Sequence, residues 1–172
     1  INIDNNLQNK ILFTEFKNIL LNPRLWSVIT NDFYIFNDFE RYLSQHKHYK
    51  EIILKHNEIE ERSKNISKIK GDLFLFGAEN NYWHFLIDFI PRLVCLKYLT
   101  DRKIVIIISK NLSHKFLYFV EKICYLLNIK EVNLIRIDQE KLIYSFENLI
   151  FTSRPSIEFS SSFLHKILNK SI

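Results

Sequence analysis

The sequence predicts an α/β fold with a mainly parallel sheet and helices on both faces, and three observations predict it. The first is Lys103-Ile104-Val105-Ile106-Ile107-Ile108-Ser109. A continuous β-branched run bounded by polar residues is the pattern of a central strand buried on both sides. The second is Leu73-Phe74-Leu75-Phe76, then Gly77, then Asn80 through Leu93, which reads as strand, tight turn and helix. The third is the repeat of that rhythm downstream. Ser113 opens a helix with Phe116, Leu117, Val120, Ile123, Cys124 and Leu127 on its inner side, and Val132–Ile137 is a further strand. Strands alternating with helices imply right-handed crossovers between parallel strands. Residues 71–172 are therefore expected to form a Rossmann-like domain.

Taken in order, residues 1–22 contain Ile11-Leu12-Phe13, Phe16 and Ile19-Leu20-Leu21, a spacing that predicts an amphipathic helix ending before Pro23. Leu25-Trp26, Val28-Ile29 and Phe33–Phe36 predict two short strands or a hairpin, turning at Thr30-Asn31-Asp32. Residues 38–70 are the most charged part and read as one or two surface helices followed by a polar connector from Ser63. Residues 1–70 are thus expected to be an extension packed on the domain. Leu142-Ile143 and Leu149–Phe151 supply one or two more strands, and Ser160–Ile172 starts a helix leading out.

The chain has 172 residues, of which 47% are hydrophobic and 15% aromatic, which suits one globular domain rather than a disordered chain. Its net charge of +5 is spread along the sequence. No basic stripe argues for specific nucleic-acid binding, although a peripheral attraction to an anionic membrane surface is allowed. No apolar run has the length of a membrane span, and no secretory leader is visible. Two separated cysteines, Cys95 and Cys124, in apolar helical settings point to buried free thiols and a reducing, cytoplasmic setting. No Cys/His cluster suggests a metal site, and His46 and His48 do not share a helix face. With only two glycines, neither a dinucleotide fingerprint nor a P-loop is present, and no cofactor is expected.

The chemistry concentrates in Asn80-Asn81-Tyr82-Trp83-His84-Phe85-Leu86-Ile87-Asp88-Phe89-Ile90-Pro91-Arg92-Leu93. Asn80 or Asn81 can cap the helix by accepting from its first free N–H groups. On a helical wheel Asn81, His84, Asp88 and Arg92 fall within about a quarter of the circumference. The remaining positions are mostly apolar, so the helix is expected to be buried and its polar stripe must be satisfied or line a cavity. Pro91 forces a kink or an end, because it cannot donate to the carbonyl of Ile87. Open ligand sites in α/β sheets lie beyond the carboxyl ends of the strands, where Gly77 to His84 would fall. Ser109–His114 and Asp138 would open at the same edge. The same residues admit a structural reading: a core histidine, and an Asp88–Arg92 pair worth a few tenths of a kcal/mol.

Asn81-Tyr82-Trp83-His84-Phe85-Leu86, then Asp88, then Pro91-Arg92-Leu93, resembles the signature of glycosyltransferase family 61. That pattern is Asn-Tyr-aromatic-His-Trp, a carboxylate a few residues on, and Pro-Arg-Leu. Phe85 stands where the family more often has Trp. The likeness runs from about residue 70 to Ser153-Arg154-Pro155-Ser156. The resemblance implies an enzyme that transfers sugar from a nucleotide sugar to a glycan acceptor in capsular or other surface polysaccharide synthesis. It implies the GT-B arrangement of two Rossmann-like domains, the first holding the acceptor and the second the donor. This chain resembles the first only, so the expectation is an N-terminal half, without transfer activity alone and with the nucleotide sugar held by the missing half.

Within that resemblance, His84 and Asp88 are the candidate catalytic residues, since either could take the proton of an acceptor hydroxyl, and Asp88 could orient His84. Asn81, Tyr82, Trp83 and Arg92 are the candidate substrate-binding residues. Arg92 could meet an anionic group, and the two aromatics could stack on a sugar or pack in the core. Two other classes compete: a carbohydrate-binding or assembly module without chemistry, or an inactive remnant, and a signature helix whose polar residues are purely structural.

Overall fold

The computed structural model describes residues 13–24, 26–30, 35–36, 66–77, 80–99, 101–129, 132–141, 143–153, 155 and 157–169. Among them, seven strands make one sheet: β1 (Phe13–Asn22), β2 (Ser27–Ile29), β3 (Ile35–Phe36), β4 (Lys68–Gly77), β5 (Ile104–Ser109), β6 (Asn133–Ile137) and β7 (Tyr144–Thr152). Their order across the sheet is β3-β2-β1-β7-β4-β5-β6. The block β7-β4-β5-β6 is parallel, while β1 is antiparallel to both β7 and β2, and β2 to β3. The described helical elements are α1 (a composite of Tyr82–His84, Phe85–Phe89 and Ile90–Tyr98), α2 (His114–Leu126) and α3 (Ile157–Asn169). The fold is thus mixed α/β. Among the described residues, no helix is long and apolar enough to cross a membrane.

Alternation along β4 sets up two cores. Phe74 and Phe76 face α1, α2 and α3 with Ile106, Ile108 and Ile150, whereas Leu73 and Leu75 face the other way with Ile107, Leu149 and Phe146. All three described helices belong to the first core, so helices on both faces are not found among the described residues. Among the described residues, the second core is lined by the sheet itself and the β1–β2 turn. Ile19, Leu21, Trp26 and Val28, from β1, the β1–β2 turn and β2, pack there against Leu73, Leu75, Ile107 and Ile137.

A line of irregular residues shows how the sheet folds over. Asn18 in β1 has φ 52°, Gly71 in β4 has φ 100°, and the β4–β7 register slips between Ile69 and Asp72. A bulge such as the one in β4 sharpens bend and twist. Lys68 Nζ reaches Asn18 Oδ1 at 2.8 Å and Gly71 N reaches Glu147 Oε2 at 3.2 Å, so the three strands bend together. The bend carries the start of β7 back towards the ends of β5 and β6. Tyr144 Oη accepts from Asp138 N at 2.8 Å, and Arg24 lies 3.6 Å from Glu140. A flat sheet needs a crossover of a dozen or more residues between parallel strands. Here residues 138–143 suffice, because the sheet has already returned.

Of the helix expected within residues 1–22, the described part, from Phe13, is instead β1. The left-handed backbone of Asn18 explains the misreading. Phe16, Ile19 and Leu21 all face the second core, so the strand's period of two is broken at Asn18 into a spacing that imitates a helix, although the pairing register with β7 is unshifted. The boundary expected at residue 70 falls inside β4, and β1 is bonded along its length to β7. The N-terminal strands are therefore part of the sheet rather than an extension packed upon it. The hairpin expected over 25–36 is present as β2 and β3. The surface helices and connector expected over 38–70 lie, as far as residue 65, outside the described residues, as do His46, His48 and His56.

One electrostatic clamp ties the sheet together. Arg102 donates Nε to Asp72 Oδ2 at 2.8 Å and also pairs with Glu15, and Asn148 Nδ2 donates to Asp72 Oδ1 at 2.9 Å. Asp72 thus joins β4 and β7 to the entry of β5, and Arg102 extends the link to β1 through Glu15. The Arg102 hydrogen bond holds the Asp72 carboxyl below its ordinary range.

Candidate functional site

β4 ends in a turn that only glycine fits. Gly77 has φ 76°, and a Cβ there would lie 3.2 Å from the Phe89 ring and 3.3 Å from that of Trp26. The chain then enters α1. Asn81 is its N-cap, and its Oδ1 accepts from Trp83 N at 3.1 Å and His84 N at 3.3 Å. Asn80 does a different job. Its Nδ2 donates to Asn111 O at 2.8 Å and its Oδ1 accepts from Ser113 N at 3.0 Å, stapling the start of α1 to the start of α2.

Pro91 neither ends α1 nor leaves it regular. The helix opens into a π turn at Phe85–Phe89, where Ile90 N–H reaches back to Phe85 O, and then tightens into 3-10 geometry from Ile90 to Tyr98. In a regular helix residue 91 would donate to the carbonyl of Ile87, and proline cannot. Ser160 of α3 takes that place, donating Oγ to Ile87 O at 2.6 Å. A carbonyl orphaned by Pro91 and buried by packing is thereby satisfied.

The structure brings His84 and Asp88 together. His84 Nδ1 lies 2.7 Å from Asp88 Oδ2. A carboxylate only accepts, so Nδ1 carries the hydrogen and Nε2 is the basic nitrogen of the neutral ring. Asp88 is buried, with 1% of its side chain exposed, while His84 keeps 21%. The imidazole is partly open to solvent, whereas the carboxylate is enclosed. Arg92 is placed differently from its partners on the wheel. It is buried, donates Nε to the main-chain oxygen of Asp88 at 2.8 Å, and holds its guanidinium 5.2 Å from the centre of the Phe89 ring.

Tyr82 and Trp83 are both 60% exposed, so neither is a core residue. Tyr82 stacks on Phe116 of α2 with centroids 6.3 Å apart, and Phe116 stacks in turn on buried Phe85 at 4.3 Å. At the same edge, Lys110 pairs with Asp138 and Ser109 Oγ bonds Gln139 Oε1 at 2.6 Å. The ends of β5 and β6 thus lie at the edge where the carboxyl-end rule places ligand sites. His114 stands exposed in the first turn of α2. Sequence reasoning missed Phe116, Ser160 and the bridging role of Asn80. Only Asn80 left a local signal, an amide just before the cap; the other two reach the site from distant elements.

A cleft of about 610 Å³ opens at the far end of α1, lined by Leu96, Leu99, Asp101, Lys103, Asn128 and Asn133 among others, away from His84. Cys95 and Cys124 are buried and free, and burial pushes both thiols up to about 12, so neither is a ready nucleophile. Among the described residues no group of three His, Cys, Asp or Glu side chains is arranged to hold a metal ion.

Comparison with protein-family models, with curated proteins and with solved structures returns no match to this chain.

Proposed function

We propose that this chain is the acceptor-side half of a glycosyltransferase of the family 61 type, which moves sugar from a nucleotide sugar to a glycan acceptor in surface polysaccharide synthesis. The observation that carries the reading is the His84–Asp88 dyad, a 2.7 Å contact on a helix that starts just beyond the carboxyl end of β4. The GT-B reading rests on the same resemblance, with the parallel block β7-β4-β5-β6 as the part of the fold that agrees with it.

In this reading an acceptor hydroxyl attacks the anomeric carbon of the donor. His84 Nε2 takes the hydroxyl proton as the new glycosidic bond forms and the bond to the nucleoside diphosphate breaks. Asp88 holds the ring in the tautomer that leaves Nε2 basic and steadies the imidazolium that results. Asn81 sets the start of the helix, and exposed Tyr82 and Trp83 offer ring faces to a pyranose. Arg92, buried beneath, fixes the backbone at Asp88. The donor sugar and its diphosphate belong to a second domain.

Transfer from a radiolabelled nucleotide sugar, measured with the whole gene product, tests this. His84→Ala should lower kcat by about a hundredfold or more. Because it also takes a hydrogen-bond donor from the buried Asp88 carboxylate, it should cost about 1–3 kcal/mol of stability, so transfer is measured well below the variant's melting temperature. A variant that transfers at the parental rate sinks the base assignment. The exposure of Tyr82 and Trp83 also favours a second reading, a carbohydrate-binding module without chemistry. In that case sugar binding is found without transfer, and it survives His84→Ala.

A further inference from the structure

The outer face of α2 is chemically unusual. Its inner side, Leu117, Val120, Ile123 and Cys124, is buried against the sheet. The opposite side carries Lys115, Tyr118, Phe119, Lys122 and Tyr125, which at helical spacing lie within roughly a third of the circumference. Tyr118 is 64% exposed and Tyr125 71%. Lys122 Nζ stands 5.5 Å from the centre of the Tyr125 ring. The solvent face of a helix is ordinarily charged and polar; this one alternates rings with lysines. The ring surface continues onto α1, where Tyr82 stacks on Phe116, with exposed Trp83 one residue on.

We propose that this face rests on an anionic lipid bilayer, with Tyr118, Phe119 and Tyr125 at the level of the headgroups and Lys115 and Lys122 against lipid phosphates. Three observations favour a bilayer over other occupants. The exposed large hydrophobic residues among the described ones are all aromatic, five of the six being Tyr or Trp. Tyr and Trp, with an apolar body and a polar tip, suit a boundary that is wet on one side. Lysine is depleted in the centre of protein interfaces, yet here it sits between the rings, where an anionic surface would attract it. Nucleic acid would ask for a longer run of cations than two lysines beside Glu121. Lipid binding of this kind does not depend on sugar transfer and is tested without any sugar.

The experiment is flotation of the protein with vesicles of phosphatidylcholine alone and with about 30 mol % phosphatidylglycerol. The expected result is binding to the anionic vesicles only, weakened by salt. Tyr118→Ser combined with Tyr125→Ser should weaken binding about tenfold or more without moving the melting temperature, since both side chains are exposed. Lys115→Gln with Lys122→Gln should remove the preference for the anionic lipid. Failure to float with anionic vesicles overturns the proposal, as does binding that ignores both pairs of substitutions. A dimer, or binding to single-stranded nucleic acid, that the tyrosine pair abolishes in the absence of vesicle binding would assign the face to that occupant instead.

Discussion

α1 and α2 follow successive parallel strands, pack on the same face of the sheet and touch through three pairs of rings, the closest being Phe85 against Phe116. α2 is a regular helix with one buried and one exposed side. α1 passes through α, π and 3-10 geometry in a single run. Every residue from Ile87 to Leu93 is buried, including Asp88 and Arg92, because α1 lies between the sheet and α3. The irregularity of α1 has a local origin and a distant remedy. Pro91 removes one hydrogen bond, and the backbone redistributes the strain into a wider turn before it and a tighter one after it. The freed carbonyl then needs a partner from elsewhere, which Ser160 supplies. The helix that carries the candidate chemistry is the one that cannot stand without its neighbours.

The largest expected effect comes from removing what the two helices share. Phe85 is fully buried, and its ring meets Phe76 of the sheet and Phe116 and Phe119 of α2. Phe85→Ala should cost about 3–5 kcal/mol, measured by chemical denaturation, and should loosen α1 and α2 together. If only one of them gains amide exchange, the rings do not couple the two helices.

Ser160→Ala separates the helices. It leaves Ile87 O buried without its hydroxyl donor and should cost about 1–3 kcal/mol. Hydrogen exchange should quicken across residues 85–92 while 114–126 stays protected. Equal quickening in both segments would show that Pro91 sets no special dependence on α3.

Asp72→Asn touches neither helix and has the smallest effect, about 1–2 kcal/mol at neutral pH. Its dependence on pH is the more telling readout. Arg102 holds the Asp72 carboxyl below its ordinary value of 3.8 in the fold. The stabilisation it provides is therefore complete above that value and fades as pH falls through the lower native one. In the variant this part of the acid limb should disappear, so the two stability curves converge below about pH 4. Parallel curves down to the lowest pH would place the acid sensitivity elsewhere.

Much of the site was legible because it is local. Asn81 caps, and His84 meets Asp88, because helical spacing of three and four brings side chains onto one face. The glycine at the end of β4 and the disruption at Pro91 were visible for the same reason, since each acts on its own backbone. The spacing misrepresented Arg92. It shares the stripe with Asp88, yet reaches the main-chain oxygen from inside the core, because the π turn rotates everything after it. Tyr82 and Trp83 were identified as aromatic, but whether they face core or solvent depends on where α2 lies.

Strands β4, β5 and β6, the helices between them and the composition of the first core were all written in the order of residues, because alternation and helical period are properties of near neighbours. Tertiary pairing alone makes residues 13–22 a strand, bends the sheet back over its own second face, and brings a serine from α3 to complete the candidate site. Those outcomes depend on the left-handed backbone at Asn18, on the register shift beside Gly71 and on pairings between residues far apart in the chain. A local pattern cannot encode them, since the free energy that selects β1 as a strand comes from β7, more than a hundred residues away.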